Sequence, residues 1–499
     1  MRRHQRLCDA ICIITLVLLL AACARAPDNA LRFGLGAAPI NLDPRFATDA
    51  TSGRVNRLVY ERLVEFDAAS VPQPSLMQWQ QPSLTHYRFT FFPEPHRFHD
   101  GTLLTANDVK ATYDFVLDQT NASPHRSALD MIERIDVPDA RTVDFYLAKP
   151  DALFPGRLVI GIVPAAKIAE KYPFNRQPLG SGAFLFHAWP EESRLILKRR
   201  SDGQLLEFLE VKDPTVRVLK LLRGEIDMLQ NDLPPELIQY LSERNDVRVQ
   251  KGSGSNYSYL GFNMEDKTLS NIKVRQAIAY AIDRDKIIRY MLGGAARSAN
   301  ALLPPDHWAG TPDLKPYTYD PERARALLKE LGYSPANPLE LSYKTSSDAF
   351  RIRLATIIQQ QLAEVGIDVD LRSYDWGTFY GDIKAGRFQM FSLSWVGIKT
   401  PDIFHYIFHS TTVPPEGANR GRYIDARADA LIEQADNALD MATQRQAYRA
   451  LQAYLHEQLP YVSLWYEDQV FIARRAIEGY EVAADGNFDR LAQVHRRAN

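Results

Sequence analysis

The sequence is poor in cysteine: Cys8, Cys12 and Cys23 are the only three in 499 residues, and all lie within the first 23. A chain processed just before Cys23 keeps one thiol, so we expect neither a disulfide nor a cysteine-ligated metal in the mature domain. An excess of one charge is also lacking, since 59 Lys and Arg stand against 61 Asp and Glu, a net charge of −2. This balance gives a nucleic acid no electrostatic support, and we expect no such partner.

The common catalytic signatures are missing as well. The sequence has no P-loop, no G-x-S-x-G and no H-E-x-x-H motif, because His456-Glu457 is not followed by a second histidine at that spacing. Segment 252–261, GSGSNYSYLG, contains glycines but lacks the dinucleotide-binding fingerprint. We therefore predict a protein that is not an enzyme and needs no cofactor.

Histidines occur in pairs and not in larger sets. His96 and His99 lie in a predicted turn, while His405 and His409 could share one face of a helix, with Asp402 nearby. Two imidazoles alone are a weak indication of a metal ion. We predict hydrogen-bonded or solvated histidines and no metal site.

The apolar run at 11–22, ICIITLVLLLAA, is too short to cross a bilayer, which takes about 20 residues. It follows Arg2, Arg3 and Arg6, an arrangement typical of a signal peptide, which we assign to residues 1–22. Segment 20–23, LAAC, resembles the lipobox of bacterial lipoproteins, in which the cysteine becomes the lipid-bearing N-terminus. We predict lipidation at Cys23 and anchoring to a membrane on the periplasmic side of a bacterial cell envelope. The alternative is an ordinary signal peptide with an incidental cysteine.

Beyond the leader, strand and helix patterns alternate. In YRFTFF (87–92), Tyr87, Phe89 and Phe91 recur with the period of a strand. Thr105 and Asp108 form a capping-box pattern that predicts the start of a helix.

Further helical patterns follow. Residues 271–294 predict one helix ended by Gly293-Gly294, and residues 319–333 predict another, capped by Asp320 and closed by Gly332.

Strand patterns follow two of the later segments. A helix closed by Gly366 precedes an alternating strand at 367–371, and the run at 388–395 predicts a strand that ends at Trp395. Helices that alternate with strands favour α/β lobes, whose ligands bind in loops at strand ends. The loop after Trp395 is therefore a candidate binding loop.

Ten segments, in this order and at this spacing, resemble the extracellular solute-binding proteins of ABC importers, specifically the family of oligopeptide, dipeptide and nickel binders (family 5). The likeness runs from about residue 31 to the end of the chain. The segments are INLDPRFATDA (40–50), VYERLVEFD (59–67), FHDGTLLTANDVKATYDFVL (98–117), NASPHRSALDMIERIDVPDARTVDFYLAKP (121–150), PLGSGAFLF (178–186), LRGEIDMLQNDLPPEL (222–237), YLGFNM (259–264), NIKVRQAIAYAIDRDKII (271–288), YDPERARALLKELGY (319–333) and ANRGRYIDARADALIEQA (418–435).

The resemblance implies an α/β, two-lobed periplasmic-binding-protein fold with a hinge and an inserted smaller α/β domain. The implied first lobe comprises residues 24–58, 178–260 and 470–499, the inserted domain 59–177, and the second lobe 261–469. The chain would cross between the lobes near YLGFN and LWYEDQVF. A ligand would be enclosed between the lobes of a monomer, and ABC permease subunits would read the closure.

By position in the family, the resemblance implies ligand-facing residues in loops and near the crossings, although each could instead be a packing or loop residue. They are Thr48, Ala50, Asn231, Asn256, Ser258, Trp395, Gly397, Ile398, Lys399, Asn419, and Trp465 or Tyr466.

Segment 394–402, SWVGIKTPD, departs from the family at one position. Peptide binders of the family carry Trp-x-(Ala or Gly)-Asp here, and the Asp holds the amino terminus of the peptide. In this chain Ile398 takes that place and Lys399 follows, and an isoleucine cannot pair with a buried ammonium group. We expect ligands whose amino end is blocked or missing to be tolerated. The alternative is a loop shorter by one residue, with another acid such as Asp402 in the role.

The expected function is therefore a lipid-anchored binding subunit of an ABC importer, with peptides or peptide-like solutes as its ligands. A nickel chelate, haem or another non-peptide solute is an alternative, motivated by the missing acid and by the pair His405 and His409. A receptor or an enzyme on the same fold is a third possibility.

Overall fold

The computed structural model describes residues 30–334 and 336–497, so the predicted signal peptide and Cys23 lie outside the described residues. Within them, strands and helices alternate along the chain. The strands are β1 (Leu31–Leu35), β2 (Val64–Phe66), β3 (Pro72–Pro74), β4 (Met77–Ser83), β5 (His86–Phe91), β6 (Ile132–Asp139), β7 (Thr142–Leu147), β8 (Phe184–Glu191), β9 (Arg194–Arg199), β10 (Leu205–Glu210), β11 (Met228–Gln230), β12 (Val247–Phe262), β13 (Ala296–Ser298), β14 (Leu339–Ser346), β15 (Ile367–Tyr374), β16 (Met390–Trp395), β17 (Tyr461–Arg474), β18 (Ile477–Glu478) and β19 (His495–Arg496). The helices are α1 (Ala50–Val59), α2 (Ala106–Leu117), α3 (Phe154–Arg157), α4 (Ala165–Ala169), α5 (Pro214–Arg223), α6 (Pro235–Ser242), α7 (Ile272–Ala281), α8 (Arg284–Tyr290), α9 (Pro321–Glu330), α10 (Ala349–Ala363), α11 (Trp376–Lys384), α12 (Ile403–Phe408), α13 (Ala426–Asp436) and α14 (Met441–Gln458).

The largest sheet has the strand order β15-β14-β16-β12-β17-β11-β1-β10-β9-β8, with β13 also paired to β17. Its two flanks are both partly parallel, since β14 runs parallel to β15 and β16, and β1 runs parallel to β10 and β11. Each flank has its own apolar core, the first around Ile278, Leu354 and Ile367 and the second around Phe33 and Phe208. The sheet thus joins two separately packed halves.

The long strands β12 and β17 connect these halves. They pair antiparallel from Val247 with Arg474 to Gly261 with Tyr461, and the register shifts between Gly252 and Asn256. Near this shift the backbones approach so closely that a Cβ atom on Gly254 would lie 1.9 Å from the carbonyl oxygen of Glu467. Only glycine fits there, so the close approach of the two strands depends on this residue.

A smaller sheet, β4-β5-β7-β6, stands apart from the large one and packs on α2. Tyr87, Phe89 and Phe91 of β5 are all buried in its core, which confirms the predicted strand and its inward face. The predicted start of α2 is also confirmed, because the Asp108 carboxylate accepts a hydrogen bond from the backbone N–H of Thr105 at 2.8 Å.

The predicted single helix at 271–294 is wrong: the structure has two helices, α7 and α8. Ile282 is extended between them, and the Asp283 side chain accepts a hydrogen bond from the backbone N–H of Lys286. A new N-cap inside an apolar periodic stretch ends the first helix although the apolar spacing continues. The predicted helix at 319–333 and the predicted strand at 367–371 are confirmed as α9 and β15.

None of the helices that the structure describes is long and apolar enough to cross a membrane.

Candidate functional site

One face of α1 lines an open cavity of about 540 Å³. Ala50, Gly53, Arg54 and Arg57 follow the spacing i, i+3, i+4, i+7, so they lie along one side of the helix. The helix begins after Asp49, whose carboxylate accepts a hydrogen bond from the backbone N–H of Ser52 at 2.8 Å. This cap fixes the first turn and with it the wall of the cavity, which we call the first cavity.

The other walls of the first cavity come from distant parts of the chain. The segment after β16 contributes Val396, Gly397 and Lys399, and the region of the smaller sheet contributes side chains that include Arg62 and His125. Asp485 and Asn487 close the wall near the C-terminus; the further lining residues are Pro44, Ala47, Thr48, Asn56, Phe66, Val159, Ile160 and Gly161.

A second cavity, of about 640 Å³, adjoins the first. Arg57, Phe66, Lys399, Asp485 and Asn487 line both cavities. The second cavity also reaches the crossing strands, since it is lined by residues 253–255 of β12. The two cavities together form one cleft, which lies between the halves of the molecule.

Lys399 and Asp485 join the two sides of the cleft. The Lys399 ammonium donates a hydrogen bond to the Asp485 carboxylate at 2.6 Å. Burial alone would raise the pKa of Asp485, but the charges of Lys399 and Arg57 outweigh it and lower that pKa to about 2. Burial lowers the pKa of Lys399, and Arg57 and Arg62 lower it further against the opposing effect of Asp485. At neutral pH Asp485 is therefore ionised and already paired with a cation of the protein.

Arg57 lines both cavities and forms ion pairs with two carboxylates. Its guanidinium donates to Asp489 at 2.9 Å and to Glu65 at 2.8 Å. Glu65 also pairs with Arg62, which is 8% exposed. These bonds hold two arginines in the cleft wall and occupy the carboxylates of Glu65 and Asp489.

Five of the predicted ligand-facing residues line the cleft. Thr48, Ala50 and Gly397 line the first cavity, Ile398 lines the second, and Lys399 lines both.

The other predicted residues do not line these cavities, and most already have partners in the fold. The Asn231 amide bonds to Gln469 and to the backbone N–H of Val470, and Ser258 bonds to Ser394 and Glu467. Asn256 pairs in register with Glu467 inside the β12 to β17 ladder.

The remaining four lie in the half that contains β16. Asn419 is 1% exposed, and its amide bonds to the backbone of His409 and Tyr423. Trp465 is buried in the apolar core, and the Tyr466 hydroxyl donates to backbone carbonyls. Trp395 lies under the guanidinium of Arg420, 4.4 Å from the ring centroid.

Asp402, the alternative acid for a ligand amine, lies elsewhere. Its carboxylate accepts a hydrogen bond from Arg157 at 2.8 Å and lines neither cavity. The structure therefore gives Asp402 a role in joining α3 to the segment before α12.

The paired histidines are bonded within the protein. The rings of His405 and His409 stack at 4.4 Å, and His405 Nδ1 lies 2.8 Å from the Asp436 carboxylate. This hydrogen bond raises the pKa of His405 above its ordinary value. Within residues 30–334 and 336–497, no group of three or more His, Cys, Asp or Glu side chains is placed to hold a metal ion.

The sequence reasoning missed the charged residues of the cleft: Arg54, Arg57, Arg62 and Asp485. The helical spacing of Ala50, Gly53, Arg54 and Arg57 could have indicated a common face of α1. Asp485 carries no local signal, because its partner Lys399 is 86 positions away.

Comparison with known proteins places the chain among binding proteins. Residues 77–414 match the model of the bacterial extracellular solute-binding proteins, family 5. The chain is 27% identical to the dipeptide-binding protein of Escherichia coli K12 over 494 residues, which cover 89% of this chain and 90% of that protein. Its fold is similar to that of the periplasmic binding protein DppA of Helicobacter pylori, solved with the peptide STSA, at a TM-score of 0.76 and 25% identity, over 94% of this chain and 98% of that one. It is also similar to NikZ of Campylobacter jejuni, solved with Ni(L-His), at a TM-score of 0.78 and 23% identity, over 94% of this chain and all of that one.

Proposed function

Because this chain belongs to the bacterial extracellular solute-binding proteins of family 5, we propose that it captures peptides or peptide-like solutes in the cleft and delivers them to ABC permease subunits. The cleft is the observation that carries this proposal, since residues from α1, the smaller-sheet region, the loop after β16 and the C-terminal segment line one continuous space. The relatives support peptides as the solute class, because one is a dipeptide-binding protein and another was solved with a bound peptide. The protein acts as a monomer that closes on its ligand.

Capture of a solute is tested by native mass spectrometry of the protein purified from a bacterial periplasm. We expect a small molecule bound in a one-to-one ratio, which is released by unfolding and raises the melting temperature when it is added back to the stripped protein. A protein that carries no solute, and whose melting temperature no peptide or small solute changes, would contradict the proposal.

A non-peptide solute without a free amine is the second candidate. Ile398 stands where relatives hold a ligand amine, and the Asp485 carboxylate is already bonded to Lys399 at 2.6 Å. Asp402 cannot serve instead while it pairs with Arg157. The same mass measurement separates the candidates, because fragmentation of the released solute shows whether it contains amino acids.

Lipid anchoring at Cys23 is the third part of the proposal, supported by the segment LAAC at 20–23. The processed protein is expected to sediment with membranes and to incorporate a labelled fatty acid, and Cys23→Ser is expected to abolish the label. Equal labelling of the wild type and Cys23→Ser would show that the lipid, if any, is attached elsewhere.

A further inference from the structure

The first cavity is electropositive. Its lining contains four cations, Arg54, Arg57, Arg62 and Lys399, but a single carboxylate, that of Asp485. The partners of Arg57 and Arg62, Glu65 and Asp489, line the adjoining second cavity and add two more carboxylates. Four cations then face three carboxylates, so one positive charge remains without a counterion.

Arg54 is the residue that carries this charge. Its guanidinium forms no ion pair and no hydrogen bond with any residue in the part of the chain that the structure describes. It lies over the aromatic ring of Phe488, 5.7 Å from the ring centroid. Arg54 is half-buried on the face of α1 that lines the cavity. A partly desolvated guanidinium with free donors is a strong site for an anion.

The pKa values of two neighbouring cations reflect the same excess of positive charge. Burial lowers the pKa of Arg62, and the charge of Arg57 lowers it further. Arg57 and Arg62 likewise act to lower the pKa of Lys399. An anion in the first cavity relieves this repulsion.

The wall beside Arg54 also has unused hydrogen-bonding capacity. Asn56 is 7% exposed, and neither its amide nitrogen nor its amide oxygen has a partner among the described residues. The Nε atom of Arg62 has none either. Nearly all buried polar groups in folded proteins are paired with protein or ordered water, so this wall has polar atoms left for a water or a ligand to satisfy.

We propose that Arg54, in the first cavity, binds a carboxylate of the captured solute, while the rest of the solute extends past Lys399 into the second cavity. This inference rests on the proposed function, because it names the chemistry of the solute that the cleft receives. A planar guanidinium matches a carboxylate with two parallel hydrogen bonds. The bound solute is therefore an acid, a peptide with a free carboxyl end or an organic acid.

Matched pairs of ligands test the inference. The probes are peptides of two to five residues, each as the free acid and as the C-terminal amide, and the amine-free dicarboxylates succinate, glutarate and adipate. Affinities are measured by tryptophan fluorescence and by the shift in melting temperature. We expect the free acid of a binding pair to bind about 10- to 100-fold more tightly than its amide, the range of a charge-assisted hydrogen bond.

Two variants and a control assign the effect to Arg54. Arg54→Gln should lower the affinity for the free acid to that for the amide. Arg54→Lys should retain part of the preference for the acid, because lysine keeps the positive charge but cannot form the two parallel hydrogen bonds of a guanidinium. Arg54 has no hydrogen-bond or ion-pair partner among residues 30–334 and 336–497, so neither variant removes a described ion pair that stabilises the protein. Arg445→Gln is the matched control, since Arg445 is exposed on α14 and lines neither cavity.

The outcomes separate this inference from the proposed function. If acid and amide bind the wild type equally, or if Arg54→Gln keeps the acid preference, the carboxylate site is wrong while solute capture stands. If no peptide and no dicarboxylate binds the wild type at millimolar concentration, both the carboxylate site and capture of these solutes are contradicted.

Discussion

At the scale of single residues, the loop at 396–399 lines the cleft, and we propose that it determines which ligand groups the cleft accepts. Ile398 presents an apolar side chain to the second cavity, and Lys399 carries the protein's own ammonium group to Asp485. The Asp485 carboxylate is therefore already paired with a cation of the protein. Free amines have no strong partner in this loop.

The first prediction concerns this loop. An N-acetylated peptide should bind about as well as the free-amine form, because no acid in the loop recognises the amine. Ile398→Asp should improve binding of the free-amine form by about 1–3 kcal/mol, the strength of a charge-assisted hydrogen bond. Titration of one matched pair into the wild type and Ile398→Asp measures both effects.

Asp402→Ala is the control for that titration. Because Asp402 pairs with Arg157 and lines neither cavity, we expect the difference between acetylated and free peptide to stay unchanged in this variant. A wild type in which acetylation abolishes binding, together with the same loss in Asp402→Ala, would instead make Asp402 the amine site.

The second prediction concerns pH. The folded-state pKa of Asp485 is about 2, below its ordinary value of 3.8, so this carboxylate stabilises the fold above its ordinary pKa. The contribution, about 2 kcal/mol, should disappear as the pH falls from about 4 to about 2. Urea unfolding gives the free energy of unfolding of the wild type and of Asp485→Asn. The difference between the two free energies should be complete at pH 6 and should shrink below pH 4. A difference that is constant from pH 6 to pH 2.5 would contradict the assignment.

At the scale of elements, the crossing strands β12 and β17 limit what can change near the cleft. The place of Gly254 beside the carbonyl oxygen of Glu467 leaves no space for a side chain. The register shift next to it places extra residues in β12, between Gly252 and Asn256.

The third prediction tests this contact. Gly254→Ala should destabilise the protein by about 1–3 kcal/mol, the usual cost of overpacking, since the strands must separate to admit a Cβ atom. Gly381→Ala in α11 is the matched control: a Cβ atom there meets nothing within 4 Å, and the helix should gain about 0.5–1 kcal/mol. Chemical denaturation of both variants gives the two free energies. Equal stability of the two variants would show that the strands adjust without strain.

Sequence patterns correctly predicted the helices and strands whose local signals, apolar periodicity and capping residues, agree with the way the element packs in the fold. The alternation of Tyr87, Phe89 and Phe91 and the cap at Asp320 are local signals, and the structure contains both elements. The break at Ile282 and Asp283 was missed, because the apolar spacing continues through it although the Asp283 side chain caps a new helix there.

The cleft was less predictable than the elements around it. Family position led to Thr48, Ala50 and the loop after Trp395, which lie near one another in the fold. It did not lead to Arg54 or Asp485, because their importance arises only when segments far apart in sequence meet across a cavity. Pairing over such separations cannot be derived from local patterns in one sequence.

At the scale of the whole molecule, the fold is the two-lobed one of family 5 solute-binding proteins. The strands β12 and β17 connect the two halves, the Lys399–Asp485 pair also links them, and the cleft lies between them. A ligand that touches both sides stabilises the arrangement in which they are close, so we expect binding and closure to be coupled.

Small-angle X-ray scattering of the stripped protein, with and without the solute released from the native one, tests this coupling most directly. The account predicts a smaller radius of gyration when the solute is bound, together with a higher melting temperature. Identical scattering curves at a saturating solute concentration would contradict capture between two closing halves.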